Sequence, residues 1–248
     1  MFEAKLSEVS LLRDSIATIS ELIDETELHI TKDGIKMIAA DRAVVAVIEF
    51  FLSKDAFDEY NHDKDSKIGI NLLSFLQILR RAGINDSLNM KLLDDRLELV
   101  LRGESTRRFT LPLIDISKEE TPPLNKLEFP TYMRINSEIL NSGIEDAELI
   151  TDSIVFTVSK DQFIMKAESD SSSTQLELIP GSELNITQIN EPVRARYSLD
   201  YLKKILKARK LAEEATMALA SDYPMRIQFE VEGKMQLSFI LAPRVEEG

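Results

Sequence analysis

Thr31-Lys-Asp-Gly-Ile-Lys-Met-Ile-Ala39 is echoed, 128 residues further along the chain, by Ser159-Lys-Asp-Gln-Phe-Ile-Met-Lys-Ala167. Lys, Asp, Met and Ala coincide in the two stretches. The same register carries Ile48-Glu49-Phe50 onto Leu176-Glu177-Leu178, and a shift of 127 carries Leu72, Ile78, Leu79 and Arg80 onto Leu199, Ile205, Leu206 and Lys207. A collinear match of this kind marks an internal repeat. The halves meet across Asp115 to Pro130, where Pro122, Pro123 and Pro130 stand among charges. The reading is therefore an N-terminal domain over 1–116, a linker over 117–130 and a C-terminal domain over 131–248, each domain of ordinary size.

Within each half the pattern runs helix, strands, helix, strands. Alternating apolar residues flanking turn residues predict hairpins over Leu28 to Ile38, Met90 to Leu101 and Arg226 to Leu241, turning at Lys32-Asp33-Gly34, Asp94-Asp95 and Glu232-Gly233-Lys234. Helical spacing of apolar residues predicts four helices: Val9, Leu12, Ile16, Ile19; Leu72, Phe75, Leu76, Leu79; Leu140, Ile144, Ala147; and Leu199, Leu202, Ile205, Leu206. Each helix has one apolar stripe to lay on a sheet, which makes the fold class α+β, two similar domains of two helices on antiparallel sheet.

The outward helix faces are then free for other work. The chain carries a formal net charge of −13, which by itself argues against a nucleic-acid partner, because phosphate binding rests on Lys and Arg. Leu199 to Lys210 opposes that balance: Lys203, Lys204, Lys207, Arg209 and Lys210 face one acid, Asp200. Lys203, Lys207 and Lys210 fall at i, i+4 and i+7, on one helical face, and the repeat-equivalent second helix carries Gln77, Arg80 and Arg81. The first helix offers only Arg13, and the third, Ser137 to Ala147, has no Lys or Arg. A merely solvated helix face is the plain alternative.

No cysteine is present, so no disulfide frame or thiolate metal site is available. Met1 to Ser20 carries Glu3, Lys5, Glu8, Arg13 and Asp14, and no apolar run approaches the length of a membrane helix. An intracellular protein without membrane association is expected. Enzyme readings fail on chemistry. His29 lies in a strand pattern and His62 in an acidic loop, neither with a nucleophile or metal spacing around it. Gly233-Lys234 lacks the glycine lead of a phosphate loop. Asp63 to Gly69 resembles a calcium loop, but its glycine falls one position late and Ser74 replaces the closing Glu. The expectation is a non-enzyme with no cofactor and no metal.

Several pieces together resemble the proliferating cell nuclear antigen type of DNA sliding clamp, most closely its archaeal members. They are Pro112-Leu-Ile-Asp115, Asp152-Ser-Ile-Val-Phe156, Phe163-Ile-Met-Lys-Ala-Glu168, Tyr223-Pro-Met-Arg226 and Leu241-Ala-Pro-Arg-Val-Glu-Glu247, and the similarity runs end to end. The resemblance implies a closed trimeric ring that encircles duplex DNA without reading sequence and tethers DNA polymerase, a clamp loader, nuclease and ligase through docking peptides. It implies nuclear residence in a eukaryote and a cytoplasmic or nucleoid one in an archaeon. The competing reading is a specialised scaffold subunit of a heteromeric ring with little DNA contact.

Three groups of residues follow as site expectations. DNA phosphates would meet Arg13, Arg80, Arg81, Lys203, Lys204, Lys207 and Lys210. The family's peptide pocket maps onto Ala40, Val44 and Val45, then Leu127, Phe129 and Pro130 in the linker, then Pro224, Ile240, Ala242 and Pro243; the plain alternative is that the linker residues staple it to the sheet. A head-to-tail subunit contact would pair the strands Arg107 to Ile114 and Ser172 to Ile179, if their repeat counterparts meet inside one chain. It would use Arg107, Arg108, Phe109, Leu111, Glu138, Leu176 and Leu178, with Arg80, Glu145 and Asp146 as further ion-pair partners. Asn141 and Ser142 stand where archaeal relatives often place charges.

Overall fold

A computed structural model describes residues 2–116 and 124–245. The chain clusters into two compact units, one built from Met1–Arg42, Ile48–Thr121 and Glu230–Leu237, the other from Ala43–Val47, Pro122–Phe229 and Ser238–Gly248. The linker residues 117–123, with Pro122 and Pro123, and the last glutamates of the closing motif lie outside the described residues.

The first half contains β1 (Phe2–Leu6), α1 (Val9–Ile19), β2 (Glu25–Thr31), β3 (Gly34–Ala40), β4 (Ala46–Ser53), β5 (Glu59–His62), β6 (Ser66–Asn71), α2 (Leu72–Leu79), β7 (Ser87–Leu92), β8 (Arg96–Arg102) and β9 (Thr106–Pro112). The second contains β10 (Thr131–Asn136), α3 (Ser137–Glu148), β11 (Ser153–Val158), β12 (Phe163–Glu168), β13 (Ser173–Leu178), β14 (Leu184–Ile189), β15 (Val193–Ser198), α4 (Leu199–Ile205), β16 (Glu214–Leu219), β17 (Met225–Val231) and β18 (Met235–Leu241). The repeat holds strand for strand. In the first half the strand orders are β5-β1-β7-β8-β9 and β4-β3-β2-β6; in the second they are β14-β10-β16-β17-β18 and β13-β12-β11-β15. The two quoted stretches are the equivalent hairpins β2–β3 and β11–β12, both antiparallel.

Alternation places the core. β1 and β2 bury every second residue, and their buried side chains join Leu12 and Ile16 of α1 and Phe75 of α2 in one apolar interior. In the second unit Phe156, Phe163 and Tyr197 form a ring cluster, with centroids 5.4 and 5.6 Å from Phe156. The Tyr197 hydroxyl donates to Tyr223 O at 2.9 Å, and burial pushes its pKa well above the ordinary phenol value. Gly143 lets α3 approach the sheet: a Cβ there would stand 2.6 Å from Met165 Cε and 3.4 Å from Leu176 Cδ1. Gly34 is demanded by the β2–β3 turn, where φ is 145° and a Cβ would meet Leu52 O at 2.2 Å.

Helix starts follow local chemistry. Asn71 caps α2 by accepting from Ser74 N, and Asn136 caps α3 by accepting from Glu138 N and Ile139 N. The fourth helix differs from expectation. It is α-helical only to Ile205 and continues as a 3-10 turn over Leu206–Lys210, which buries Leu206 and Ala208. The tighter winding of that turn removes the regular i, i+4, i+7 α-face, although Lys203, Lys207 and Lys210 all remain exposed.

Candidate functional site

On α4 and its 3-10 extension three of the cations are held by neighbouring acids. Lys204 pairs with Asp200 at 2.7 Å along the helix and lies 5.6 Å from the centroid of the Tyr201 ring. Lys203 pairs with Glu148, and Arg209 with Glu138 at 3.1 Å, both acids standing on α3, which packs against α4. In the first unit Arg13 is chelated by its neighbour Asp14, Nε donating to Oδ1 at 2.8 Å and Nη2 to Oδ2 at 3.2 Å. Arg80 caps the C-terminus of α2, and Arg81 follows it; both are exposed. Each unit therefore exposes cations on the segment that ends or follows its second helix, and the sequence reading did not foresee how many are charge-compensated.

The expected peptide pocket divides. Ala40 belongs to the first unit and is 8% exposed. The other nine positions belong to the second. There Ala242 N–H donates to Val45 O at 2.9 Å, so the segment after β18 runs beside Ala43–Val47. Val44 is 56% exposed and holds φ at 55°, a conformation that β-branched residues rarely take and that surrounding structure must enforce. In the linker Phe129, expected at the pocket, is only 9% exposed, with Tyr132 and Tyr223 edge-on to it at 6.4 and 6.0 Å, so its ring is largely covered. Ile240 is buried too. Leu127, Pro130, Pro224, Ala242 and Pro243 are half-buried, which leaves them and Val44 as surface able to meet a ligand.

Arg244, just past Pro243, ties this segment down twice. Its N–H donates to Arg196 O at 2.7 Å, and its guanidinium pairs with Asp152 at 2.6 Å, which holds the Asp152 carboxyl below its ordinary pKa. Neither residue was singled out for this role from the sequence. Tyr223, Asp152 and Arg244 lay in motifs already quoted, but ring stacking and ion pairing leave no periodic signal.

The two strands expected at the subunit contact bury few of their residues. β9 ends its sheet order beside β8, and β13 ends its order beside β12. β9 buries only Leu111, at 3% exposure, so that side chain belongs to the core of its own unit and not to the open edge expected of it. β13 buries none of its residues. Phe109, Leu176 and Leu178 are half-buried apolar residues on these two strands. The charges expected to reach across are held at home: Arg107 by Asp86 and by Arg81 O at 2.8 Å, Arg108 by Glu98 at 2.8 Å, Glu138 by Arg209, and Glu145 by Asn141 at 2.9 Å. The other sheet ends include β5, β6, β14 and β15; Ile114 covers β6 at a bridge to Gly69.

Among the described residues no group of three or more His, Asp or Glu side chains is placed to hold a metal ion, and no helix is long and apolar enough to cross a membrane.

Comparison with known proteins agrees with this architecture. The model of the proliferating cell nuclear antigen N-terminal domain matches residues 1–120, and that of its C-terminal domain matches residues 124–244. A DNA polymerase sliding clamp of Methanothermobacter thermautotrophicus is 33% identical over 247 residues, 99% of each chain. One from Thermococcus gammatolerans is 34% identical over 248 residues, again 99% of each. A crystal structure of PCNA from Thermococcus kodakaraensis superposes with a TM-score of 0.90 at 27% identity, covering 98% of this chain and 100% of that one. With the doubled strand order, both family domains in sequence and relatives matched from end to end, the chain belongs to the proliferating cell nuclear antigen family.

Proposed function

We propose that this protein is a DNA polymerase sliding clamp: a ring that encircles duplex DNA and tethers DNA-working enzymes, performing no chemistry itself. The observation that carries the reading is full-length similarity to relatives that bear that name, in a chain whose fold repeats strand for strand. Three copies close the ring when β9 of one packs beside β13 of the next, since unlike edges make a head-to-tail contact. Phe109, Leu176 and Leu178 supply the apolar part of that seam, with Arg107, Arg108 and Glu138 at its margin and Leu111 beneath.

The basic residues of α4 and its extension, Lys203, Lys204, Lys207 and Lys210, together with Arg80, Arg81 and Arg13, face DNA phosphates from inside. Phosphate contacts position a protein without reading bases, which suits movement over any sequence. Polymerase, loader, nuclease and ligase dock peptides on the surface formed by Val44, Val45, Leu127, Pro130, Pro224, Ala242 and Pro243, over a floor that includes Phe129 and Ile240. The ring works inside the cell, where its DNA is. The acidic, cation-free surface of α3 favours a second reading, a subunit of a heteromeric ring with little DNA contact.

Synthesis by an archaeal replicative polymerase and loader on primed circular DNA separates the readings. The purified protein alone extends product length if it is a complete clamp, and Lys203, Lys204, Lys207 and Lys210 changed together to Gln lower that gain while the molar mass stays trimeric. A protein that is monomeric at micromolar concentration and leaves product length unchanged overturns the proposal.

A further inference from the structure

The second unit carries its strongest cations and its strongest acids on two helices that touch. α3 exposes Glu138, Glu145, Asp146 and Glu148 and has no Lys or Arg, while Leu199 to Lys210 is basic by four charges, so the pair of segments is neutral. Neutrality is achieved by specific contacts between residues far apart in the chain: Lys203 reaches Glu148, and Arg209 reaches Glu138 with Nε 3.1 Å from Oε2. Both acids are well exposed, at 47% and 70% of their side chains, so these pairs stand in solvent, where such contacts are weak and readily exchanged. Glu145 is different: it accepts from Asn141 on its own helix at 2.9 Å and holds no cation in that contact.

We propose that Glu148 is an intramolecular stand-in for DNA phosphate, which holds Lys203 until a phosphate displaces it and so keeps the grip on the duplex weak. The inference rests on the reading of α4 as a DNA-facing element. Its physical content is competition. A cation that moves to phosphate gives up a carboxylate, and the bared carboxylate then repels the same DNA. Each exchange is close to neutral in free energy, so no register along the duplex is favoured. An uncompensated basic face would gain at every contact and would bind tightly in place. Glu148 is a positioning residue: it touches the cation, not the DNA.

The test measures affinity of the intact protein for a short fluorescent duplex at low salt, by anisotropy, across a series of salt concentrations. Glu148→Gln is isosteric, and the residue is exposed. It is expected to tighten binding by about threefold, the worth of one exposed pair, and to steepen the slope of log K against log salt by a part of the roughly 0.9 that a whole phosphate contact is worth, because Lys203, shared with Glu148 in the wild type, then engages phosphate fully. Glu148→Asp restores the wild-type values. Glu145→Gln, which removes the same charge from the same helix without freeing a cation, changes affinity less and leaves the slope alone. If Glu148→Gln and Glu145→Gln behave alike, or if Glu148→Gln has no effect, the competition is overturned. Lys207→Gln with Lys210→Gln is the second arm: weaker binding there with no response at Glu148 sinks the competition alone, whereas no response in either arm removes α4 from the DNA-facing surface.

Discussion

Asp86 makes a sharp test of how the edge strand β9 is held. Its carboxylate, 9% exposed as a residue, accepts from Gly83 N at 2.9 Å and from the Arg107 guanidinium, and Arg107 in turn donates to Arg81 O at 2.8 Å. The fit is close enough that a Cβ on Gly103 would stand 1.8 Å from Asp86 Oδ1. Asp86→Ala removes one charge-assisted contact and one backbone cap. A hydrogen bond to a charged group contributes about 1.5–3 kcal/mol. The Arg107 side chain is 31% exposed and water replaces part of what it loses, so the lower half of that range applies, about 2 kcal/mol. For a chain of this size that is roughly 4 to 8 °C in melting temperature. Urea melts of Asp86→Ala, Arg107→Ala and the double variant, at fixed protein concentration, should show coupling of about 1–2 kcal/mol. Because Arg107 stands on the edge that a second copy is proposed to meet, Asp86→Ala should also shift the oligomer toward monomer at low concentration. Two single changes that each cost under about 0.5 kcal/mol and simply add would refute the idea that this cluster organises the edge.

Phe129→Ala with Pro243→Ala should weaken binding of a glutamine-and-aromatic docking peptide by calorimetry. Because Phe129 is covered by Tyr132 and Tyr223, Phe129→Ala alone should also expose the linker to protease; unchanged affinity in the double variant would move the pocket elsewhere. Asp152, held below its ordinary pKa by Arg244, contributes to fixing the segment after β18 fully above about pH 4 and loses that contribution as pH falls through its lowered folded value, so the protection of the Arg244 amide, measured against its intrinsic exchange rate, should fall only below that point. Asp152→Asn should lower that protection at neutral pH by a few fold, about what an exposed pair is worth. Phe109→Asp or Leu178→Asp should yield folded monomers in light scattering, since either places a charge in the proposed apolar seam.

Repeat, hairpins and helix positions were legible because they rest on periodicity and turn chemistry that are local in the chain. The stretch around Lys32-Asp33 and its echo at Lys160-Asp161 sufficed for the doubled hairpin, and Gly34 proved indispensable where the turn was placed. What escaped the sequence joins distant residues or depends on packing. Glu148 with Lys203, Glu138 with Arg209 and Asp86 with Arg107 are separated by 55, 71 and 21 residues, and nothing in a charge pattern selects those partners among the many acids. The 3-10 turn after Ile205 shares its apolar spacing with an α-helix and differs only in how Leu206 and Ala208 are drawn inward. Phe129 stood out as an aromatic in a polar linker, but its burial under Tyr132 and Tyr223 depends on rings outside its own segment and leaves no local signal.

Topological capture tests the central claim most directly, and it needs no loading machinery. Rings threaded over the ends of a linear duplex at high protein concentration are trapped by ligating the duplex into a circle, then washed in high salt and sized by gel filtration. The account predicts that protein stays with the ligated circle through the salt wash and leaves it once a single restriction cut reopens the ends. Protein that washes off the closed circle, or that stays bound after the cut, would contradict encirclement.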